Sequence, residues 1–171
     1  MMGNNMDKLY FREFEIVPAY EHGEQIAELF SEYTQMLKDN DPKMESYLEL
    51  QRYDDELADL QYKYGEPDGR LYIAYLGGRS AGCVGMKRQN ERSCELKRLY
   101  VRPEYRGRGL ARYLSELILS EAKKAGYERV LLDTLPFLAE AQALYKSLGF
   151  YEIPKYLESP MEDAIYMRYD L

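Results

Sequence analysis

The feature that most constrains the fold is a glycine-containing loop between a strand-like segment and a helix-like segment. Residues 95–101 have the composition of a β-strand, and an apolar helical periodicity begins near Leu110. The connecting loop, residues 106–111, reads Arg-Gly-Arg-Gly-Leu-Ala. The first N–H groups of a helix lack internal partners and carry the positive end of its dipole, so this loop predicts a phosphate or pyrophosphate site. Arg106 and Arg108 would add full positive charge beside it.

Three interpretations of this loop compete. A Rossmann fingerprint requires a glycine where Arg112 stands, and a P-loop requires a Lys-Ser/Thr pair where Leu110 and Ala111 stand. Both are therefore excluded. The remaining alternative is a helix entry whose glycines serve only the turn, and the six residues alone do not separate that alternative from an anion site.

The surroundings of the loop favour the anion site. Arg106-x-x-Gly109-x-Ala111 resembles the acyl-CoA pyrophosphate loop of the GCN5-related N-acetyltransferases (GNAT superfamily), whose pattern is Gln/Arg-x-x-Gly-x-Gly/Ala. Residues 141–150 are similar to that family's second signature, Ala-x-x-Leu-Tyr-x-x-x-Gly-Phe. The resemblance covers roughly residues 71–171, and the ordered pair of motifs is more specific than either motif alone.

The resemblance implies an α/β (α+β) fold with one mixed, mostly antiparallel sheet flanked by helices. The chain of 171 residues has the length of a single domain, so residues 1–171 are expected to form one acyltransferase domain. Hydrophobic periodicity predicts the element order β-α-α-β-β-β-α-β-α-β-β. The predicted strands are residues 12–17, 71–76, 81–86, 95–101, 130–132, 150–153 and 165–169, and the predicted helices are residues 21–38, 41–64, 110–122 and 138–148.

Composition excludes several functional classes. The formal net charge of −7 argues against a nucleic-acid or anionic-membrane partner. One histidine and two cysteines without Cys-x-x-Cys spacing predict no metal site. Residues 1–8 are polar and predict no signal peptide, and no apolar run has the length of a membrane span, so a cytoplasmic location is expected.

In the resembling family, CoA lies in a gap where the central strand splays from its parallel neighbour. In this chain the two strands would be the one ending at Val101 and the one at residues 130–132. Backbone groups of residues 99–101 would pair with pantetheine, and the amides of residues 106–111 would take the pyrophosphate of acetyl-CoA. The resemblance thus implies a cofactor site formed by Leu99, Tyr100, Val101, Arg106, Gly107, Arg108, Gly109, Leu110 and Ala111.

Two residues are candidates for proton transfer. Tyr145 occupies the tyrosine of the second signature and is the predicted general acid for the CoA thiolate, although its apolar helix face is equally typical of a core tyrosine. Glu95 is the candidate base, because a glutamate at the matching place serves as base in the histone-acetylating branch of the family. Counting by two along the strand puts Glu95 on one face with Leu99 and Val101. The alternative is a strand glutamate facing solvent.

These expectations combine into an N-acetyltransferase that moves an acetyl group from acetyl-CoA to a primary amine by direct attack in a ternary complex. A small-molecule amine is favoured over a protein amine as acceptor, and homodimers are common in the family. The alternatives are transfer of a larger acyl group such as succinyl, a protein amine acceptor, or a non-catalytic CoA-binding regulatory module. The candidate acceptor-site residues are Tyr33, Tyr47, Tyr53, Phe137, Tyr156 and the loop 157–163.

Overall fold

The computed structural model describes residues 8–171; the expectation that residues 1–7 hold no signal peptide lies outside the described residues. One sheet of eight strands runs through the described chain in the order β1-β2-β3-β4-β5-β6-β8-β7. Its strands are β1 (Leu9–Phe11), β2 (Phe14–Pro18), β3 (Arg70–Leu76), β4 (Arg79–Arg88), β5 (Ser93–Val101), β6 (Arg129–Thr134), β7 (Tyr151–Ile153) and β8 (Ile165–Asp170). The helices are α1 (Gly23–Asn40), α2 (Met44–Leu50), α3 (Tyr53–Ala58), α4 (Leu60–Tyr64), α5 (Leu110–Lys124) and α6 (Ala139–Leu148).

The sheet is antiparallel except at its centre. Every described strand pair is antiparallel apart from β5 and β6, which pair in parallel. Parallel neighbours need a crossover, and here α5 supplies it. The loop that the sequence marked as an anion site therefore opens the crossover helix beside the only parallel pair among the described strands.

Helices cover both faces of the sheet. On one face the buried apolar stripe of α5, Leu110, Leu114, Ile118 and Ala122, packs against residues of the central strands. On the other face α1 and α4 bury a second cluster that includes Ile26, Leu29, Phe30, Leu60 and Tyr64. Each large apolar side chain removed from water contributes about 1.5–3 kcal/mol to folding. The central strands are thus clamped between two apolar layers.

The mixed sheet with flanking helices is confirmed, and two local features differ from the prediction. An additional strand, β1, forms a hairpin with β2. Residues 41–64, expected as one helix, form α2, α3 and α4 instead. The breaks occur at Arg52, which adopts a left-handed conformation with φ 56°, and at Asp59, whose side chain caps α4 by accepting from Tyr62 N. Leu50, the last residue of α2, is 56% exposed.

A buried ion pair ties this broken helical segment to the central strand. Glu56 Oε2 accepts from Arg98 Nε at 2.9 Å, and its Oε1 accepts from the Tyr64 hydroxyl at 2.5 Å and from Lys63 Nζ at 2.5 Å. Burial alone would raise the pKa of Glu56, but Arg98 and Lys63 outweigh it and hold that pKa below its usual value. Burial lowers the pKa of Lys63 to about 8, against the attraction of Glu56. No helix of residues 8–171 has the length and apolar character needed to cross a bilayer.

We expect Glu56→Ala to lower the free energy of unfolding by about 3–5 kcal/mol, because it leaves the Arg98 guanidinium buried without its counter-charge. Asp55→Ala is the matched control, since the neighbouring Asp55 pairs with Arg52 on the surface. That change should cost about 1 kcal/mol or less. Urea unfolding followed by circular dichroism measures both values. Equal losses in the two variants would show that the buried pair does not anchor the fold.

Candidate active site

A gap opens where the two central parallel strands separate. β5 and β6 pair only at Ser93 with Arg129, Cys94 with Val130, and Glu95 with Leu131. Beyond that point β5 continues for six residues, to Val101, paired on its other side with β4. Its edge facing β6 therefore presents backbone N–H and C=O groups to the gap, as the family resemblance implies for a pantetheine-binding strand.

A bulge in β5 reverses the faces of its side chains. Val84 of β4 lies opposite both Arg98 and Leu99, and Arg98 has a left-handed φ of 56°. Cys94, Leu96, Leu99 and Val101 all contact the apolar cluster beneath α5, so the period of two is interrupted once. The sequence-based placement of Glu95 on the same face as Leu99 and Val101 is therefore wrong.

The loop before α5 presents unpaired amides, as its sequence predicts. Gly107 and Gly109 have φ of 77° and 82°, a conformation that residues with a Cβ rarely adopt. Gly109 is the N-cap of α5 and supplies no side-chain cap. Within residues 8–171 none of the amides from Gly107 to Arg112 donates to a backbone carbonyl. These N–H groups and the positive end of α5 are arranged as an anion site requires.

The arginines around this loop have different roles. Arg106 donates from Nε to the Val101 carbonyl at 2.9 Å, which fastens the loop to the end of β5. Arg108 points away from the gap and pairs with Glu13 at 3.1 Å. Arg112, which sequence reasoning did not select, lines the gap. The positive charge beside the anion site therefore comes from Arg106 and Arg112.

The N-terminal hairpin braces the same loop from outside. Arg12 donates to the Arg108 carbonyl at 3.0 Å. The Phe11 ring stacks on Tyr113 with centroids 4.6 Å apart. A Cβ at Gly109 would lie 3.4 Å from the Phe11 ring. The β1–β2 turn thus fixes the conformation of the loop through contacts about a hundred positions apart in sequence.

A cleft of about 700 Å³ occupies the gap between the strands. Of the predicted cofactor residues, all except Arg108 line it: Leu99, Tyr100, Val101, Arg106, Gly107, Gly109, Leu110 and Ala111. Tyr145 also lines the cleft. The structure therefore brings both sequence motifs to one cavity of the size that a cofactor-sized ligand requires.

Tyr145 projects from α6 into this cavity and is 7% exposed. Its ring packs against Phe150 with centroids 5.7 Å apart. Burial raises the pKa of Tyr145 above that of a free phenol, and Tyr33 and Asp133 add to the effect. The hydroxyl is therefore protonated at neutral pH. Tyr145 is thus a core tyrosine on one side and a cleft-lining tyrosine on the other.

Glu95 lies away from the cleft wall. It is 2% exposed, and its Oε2 accepts a hydrogen bond from the Tyr156 hydroxyl at 3.0 Å. Glu95 lines neither this cleft nor the smaller cavity that adjoins it. Solvent exposure, the alternative weighed from sequence, is equally excluded. Any proton that Glu95 takes from the cleft has to pass through a hydroxyl or a water.

A second, smaller cavity of about 40 Å³ adjoins the cleft on the side of α1 and α2. The two cavities share Tyr33, Leu99, Asp133, Thr134, Leu138 and Tyr145. The smaller one is also lined by Tyr47, Lys97 and Arg98. The Tyr47 hydroxyl donates a short hydrogen bond to Asp133 Oδ2, and Lys97 Nζ lies 3.9 Å from Asp133 Oδ1. This charged pocket sits where an acceptor could meet the cofactor.

Sequence reasoning selected only part of this pocket. Tyr33 and Tyr47 were named as acceptor-site candidates and line it, whereas Phe137 lines the large cleft. Lys97, Arg98 and Asp133 were not selected. The signal available was a charged residue ending the buried strand β6 opposite a Lys-Arg pair on β5, which is unusual in the centre of a sheet.

Two neighbouring acidic residues of the second predicted helix are engaged in ion pairs of different kinds. Glu56 is buried in the ion pair with Arg98, and Asp55 pairs with Arg52 at the surface. Among residues 8–171 no three His, Cys, Asp or Glu side chains come together as a potential metal site.

Comparison with known proteins agrees with this geometry. The model of the acetyltransferase (GNAT) family matches residues 23–150. An uncharacterised N-acetyltransferase of Schizosaccharomyces pombe is 41% identical over 126 residues, which cover 72% of this chain and 77% of the relative. The N-acetylaspartate synthetase of Danio rerio is 32% identical over 127 residues, covering 68% of this chain but 45% of that protein.

Solved structures share the fold. An acetyltransferase from Streptococcus agalactiae superimposes with a TM-score of 0.75 at 23% identity, covering 94% of this chain and 100% of its own. A GNAT-family acetyltransferase from Elizabethkingia anophelis with acetyl-CoA bound gives a TM-score of 0.53 at 19% identity, covering 61% of this chain and 77% of its own. Because the family model matches about three quarters of this chain, the chain belongs to the GNAT acetyltransferase family.

Proposed function

We propose that the protein transfers an acetyl group from acetyl-CoA to the primary amine of a small molecule. The observation that carries the proposal is the cleft between β5 and β6, which has the unpaired amides of α5 at one end and Tyr145 with a charged pocket at the other. Such a cleft can hold a long, anionic, thioester-bearing ligand and expose its reacting end to an amine. The composition supports a cytoplasmic enzyme without a nucleic-acid or membrane partner.

The cofactor is assigned to this cleft along its length. The amides from Gly107 to Arg112 bind the pyrophosphate, where the dipole of α5 and the side chains of Arg106 and Arg112 favour negative charge. The free edge of β5 at Leu99 to Val101 pairs with the pantetheine amides. A backbone N–H aimed at the thioester carbonyl there stabilises the oxyanion that develops during attack.

Tyr145 is proposed to protonate the departing thiolate. Its raised pKa does not prevent this, because the same dry surroundings also penalise the thiolate and so raise the basicity of the sulfur. Proton transfer between the two groups then stays close to balanced, as efficient acid catalysis requires.

Removal of a proton from the amine has two candidate carboxylates. Glu95, the base predicted from sequence, needs a relay because Tyr156 lies against its carboxylate. Asp133 needs no relay, because it lines both cavities beside Tyr145. We assign the first proton transfer to Asp133 and retain Glu95 as the residue that would act through a relay.

A small-molecule acceptor is favoured by the dimensions of the pocket. The cavity beside Asp133 measures about 40 Å³, which accommodates a few heavy atoms and no folded polypeptide segment. The relatives include an N-acetylaspartate synthetase, an enzyme named for a small acetylated product. Transfer of a larger acyl group and a non-catalytic CoA-binding module are the alternatives to this proposal. Homodimerisation remains an expectation of the family resemblance.

For the cofactor site we expect Ala111→Asp to weaken acetyl-CoA binding about tenfold or more, since a carboxylate in the first turn of α5 repels the pyrophosphate. The same substitution favours the helix N-terminus, so the free protein should keep its melting temperature. Ser120→Asp is the matched control, with the same charge change on an exposed position of α5. Isothermal calorimetry with acetyl-CoA measures the affinities, with ATP and NAD as unrelated ligands. Equal affinity in both variants would place the pyrophosphate elsewhere.

For the general acid we expect Tyr145→Phe to lower kcat by about tenfold or more while the Kd for acetyl-CoA stays unchanged. The structure records no hydrogen bond of this hydroxyl within residues 8–171, so its loss should barely alter stability. Tyr62→Phe, at a tyrosine that is 89% exposed, is the control. The measurement is the rate of CoA release at saturating acceptor. An unchanged kcat in Tyr145→Phe would show that Tyr145 is not the general acid.

For the base we expect Asp133→Asn to lower kcat by about a hundredfold while the Kd for acetyl-CoA stays unchanged. Glu95→Gln should lower kcat less, because its carboxylate is reached only through Tyr156. Rates of CoA release at saturating acceptor for both variants and the wild type provide the measurement. If Glu95→Gln lost its activity and Asp133→Asn kept it, the base predicted from sequence would be restored.

A further inference from the structure

The smaller cavity is lined by a lysine whose ammonium group makes no hydrogen bond to the described residues. Lys97 is 7% exposed and lines the cavity. Its closest recorded partner within residues 8–171 is Asp133 Oδ1 at 3.9 Å, which is beyond hydrogen-bond distance. An ammonium group has three donors, and a buried charge is costly unless those donors are paired. Lys97 is therefore held ready for an anion inside the cavity.

The neighbouring cation, Arg98, already uses two of its guanidinium nitrogens in hydrogen bonds. Arg98 donates from Nε to Glu56 at 2.9 Å and from Nη2 to Gln51 at 2.8 Å. These bonds turn its guanidinium toward α2 and α3, where it holds the fold together. Both adjacent cations on β5 line the smaller cavity, and Lys97 is the one without a hydrogen-bonded partner among the described residues.

Asp133 complements Lys97 on the opposite strand. Its Oδ2 accepts from the Tyr47 hydroxyl, which fixes the carboxylate, and its Oδ1 is turned toward Lys97. The cavity thus presents one positive and one negative group side by side, on the two strands that separate at the cleft. A ligand that carries an ammonium and a carboxylate on one carbon atom can bridge such a pair, each charge meeting its opposite.

We propose that the acceptor is a free α-amino acid, with its carboxylate on Lys97 and its ammonium on Asp133. This inference rests on the proposed acetyltransferase function and narrows its acceptor. A peptide or protein N-terminus lacks the α-carboxylate, because that group is already an amide, and would leave Lys97 buried beside a neutral carbonyl. A simple alkylamine would fail for the same reason.

The geometry also orients the amine for attack. Asp133 and Tyr145 line both cavities, so an amine held by Asp133 lies at the junction with the cofactor cleft. The ammonium gives one proton to Asp133, and the neutral nitrogen forms a bond to the thioester carbon. The carbon–sulfur bond breaks and the sulfur takes a proton from Tyr145. The second amine proton, released as the amide forms, restores the Tyr145 hydroxyl, and Asp133 returns its proton to solvent. The product is an N-acetyl amino acid, whose neutral amide no longer pairs with Asp133, which favours its release.

The test compares acceptors that differ only in the α-carboxylate. Wild-type protein with acetyl-CoA is assayed for CoA release with a panel of L-amino acids, each beside its α-carboxamide and its decarboxylated amine. We expect at least one amino acid to exceed both of its analogues about tenfold or more in kcat/KM, since a buried charge pair is lost in each analogue. This arm requires no variant and so cannot fail through misfolding.

A variant of Lys97 isolates the residue responsible. Lys97→Met removes the charge at similar volume and should raise KM for the preferred amino acid by about tenfold or more, with a smaller change in kcat. Lys123→Met, the same change at an exposed position of α5, should behave as wild type. The Kd for acetyl-CoA and the melting temperature of Lys97→Met report whether the site and fold survive.

The outcomes separate this inference from the proposed function. Equal use of acids, amides and amines, or acetyl-CoA binding without turnover of any amino acid, would overturn the amino-acid acceptor alone. Lys97→Met lowering kcat/KM equally for an acid and its amide would likewise reduce Lys97 to a structural role. Absence of both acetyl-CoA binding and CoA release with every amine would instead overturn the acetyltransferase proposal itself.

Discussion

The site depends on one buried ion pair, Arg98 with Glu56. Arg98 occupies a left-handed conformation in the middle of a central strand, which an L-residue adopts only when its surroundings compensate. Glu56, Gln51 and the Tyr53 ring hold its side chain in place. The resulting bulge turns β5 so that Leu99 and Val101 face α5 while Lys97 faces the acceptor cavity. The Arg98–Glu56 pair thereby positions both the edge of β5 that faces the cleft and the wall of the smaller cavity.

The two halves of the site are built by different parts of the chain. The proposed cofactor half consists mainly of backbone groups of the β5 edge and the α5 entry, with Arg106 and Arg112 beside them. The proposed acceptor half consists of side chains: Tyr33 from α1, Tyr47 from α2, Lys97 and Asp133. Changes in α1 or α2 can therefore alter the acceptor without disturbing the groups assigned to acetyl-CoA.

Sequence patterns selected residues that line the cleft in the backbone-defined half, because local chemistry determines the loop and the helix entry there. The glycines on either side of Arg108 predict a turn and a helix entry, and the β-α-β order follows from the hydrophobic periodicity. The acceptor half could not be predicted in this way. The bulge at Arg98 cancels the period of two that placed Glu95 with Leu99, and nothing local marks it. Likewise the left-handed turn at Arg52 lies between Gln51 and Glu56, which both bond Arg98 on β5. These tertiary contacts accompany the division of an apparently continuous helical pattern into three helices.

The brace between the N-terminal hairpin and the anion loop has a thermodynamic consequence. Because Arg12 and Phe11 hold the loop in its ligand-ready conformation, the ordering cost of that loop is met by folding rather than by binding. The two events are then linked reciprocally. A cofactor bound to the α5 amides would slow hydrogen exchange in β1 and β2. Exchange rates at the edge of the sheet would thus depend on whether the cleft at its centre is occupied.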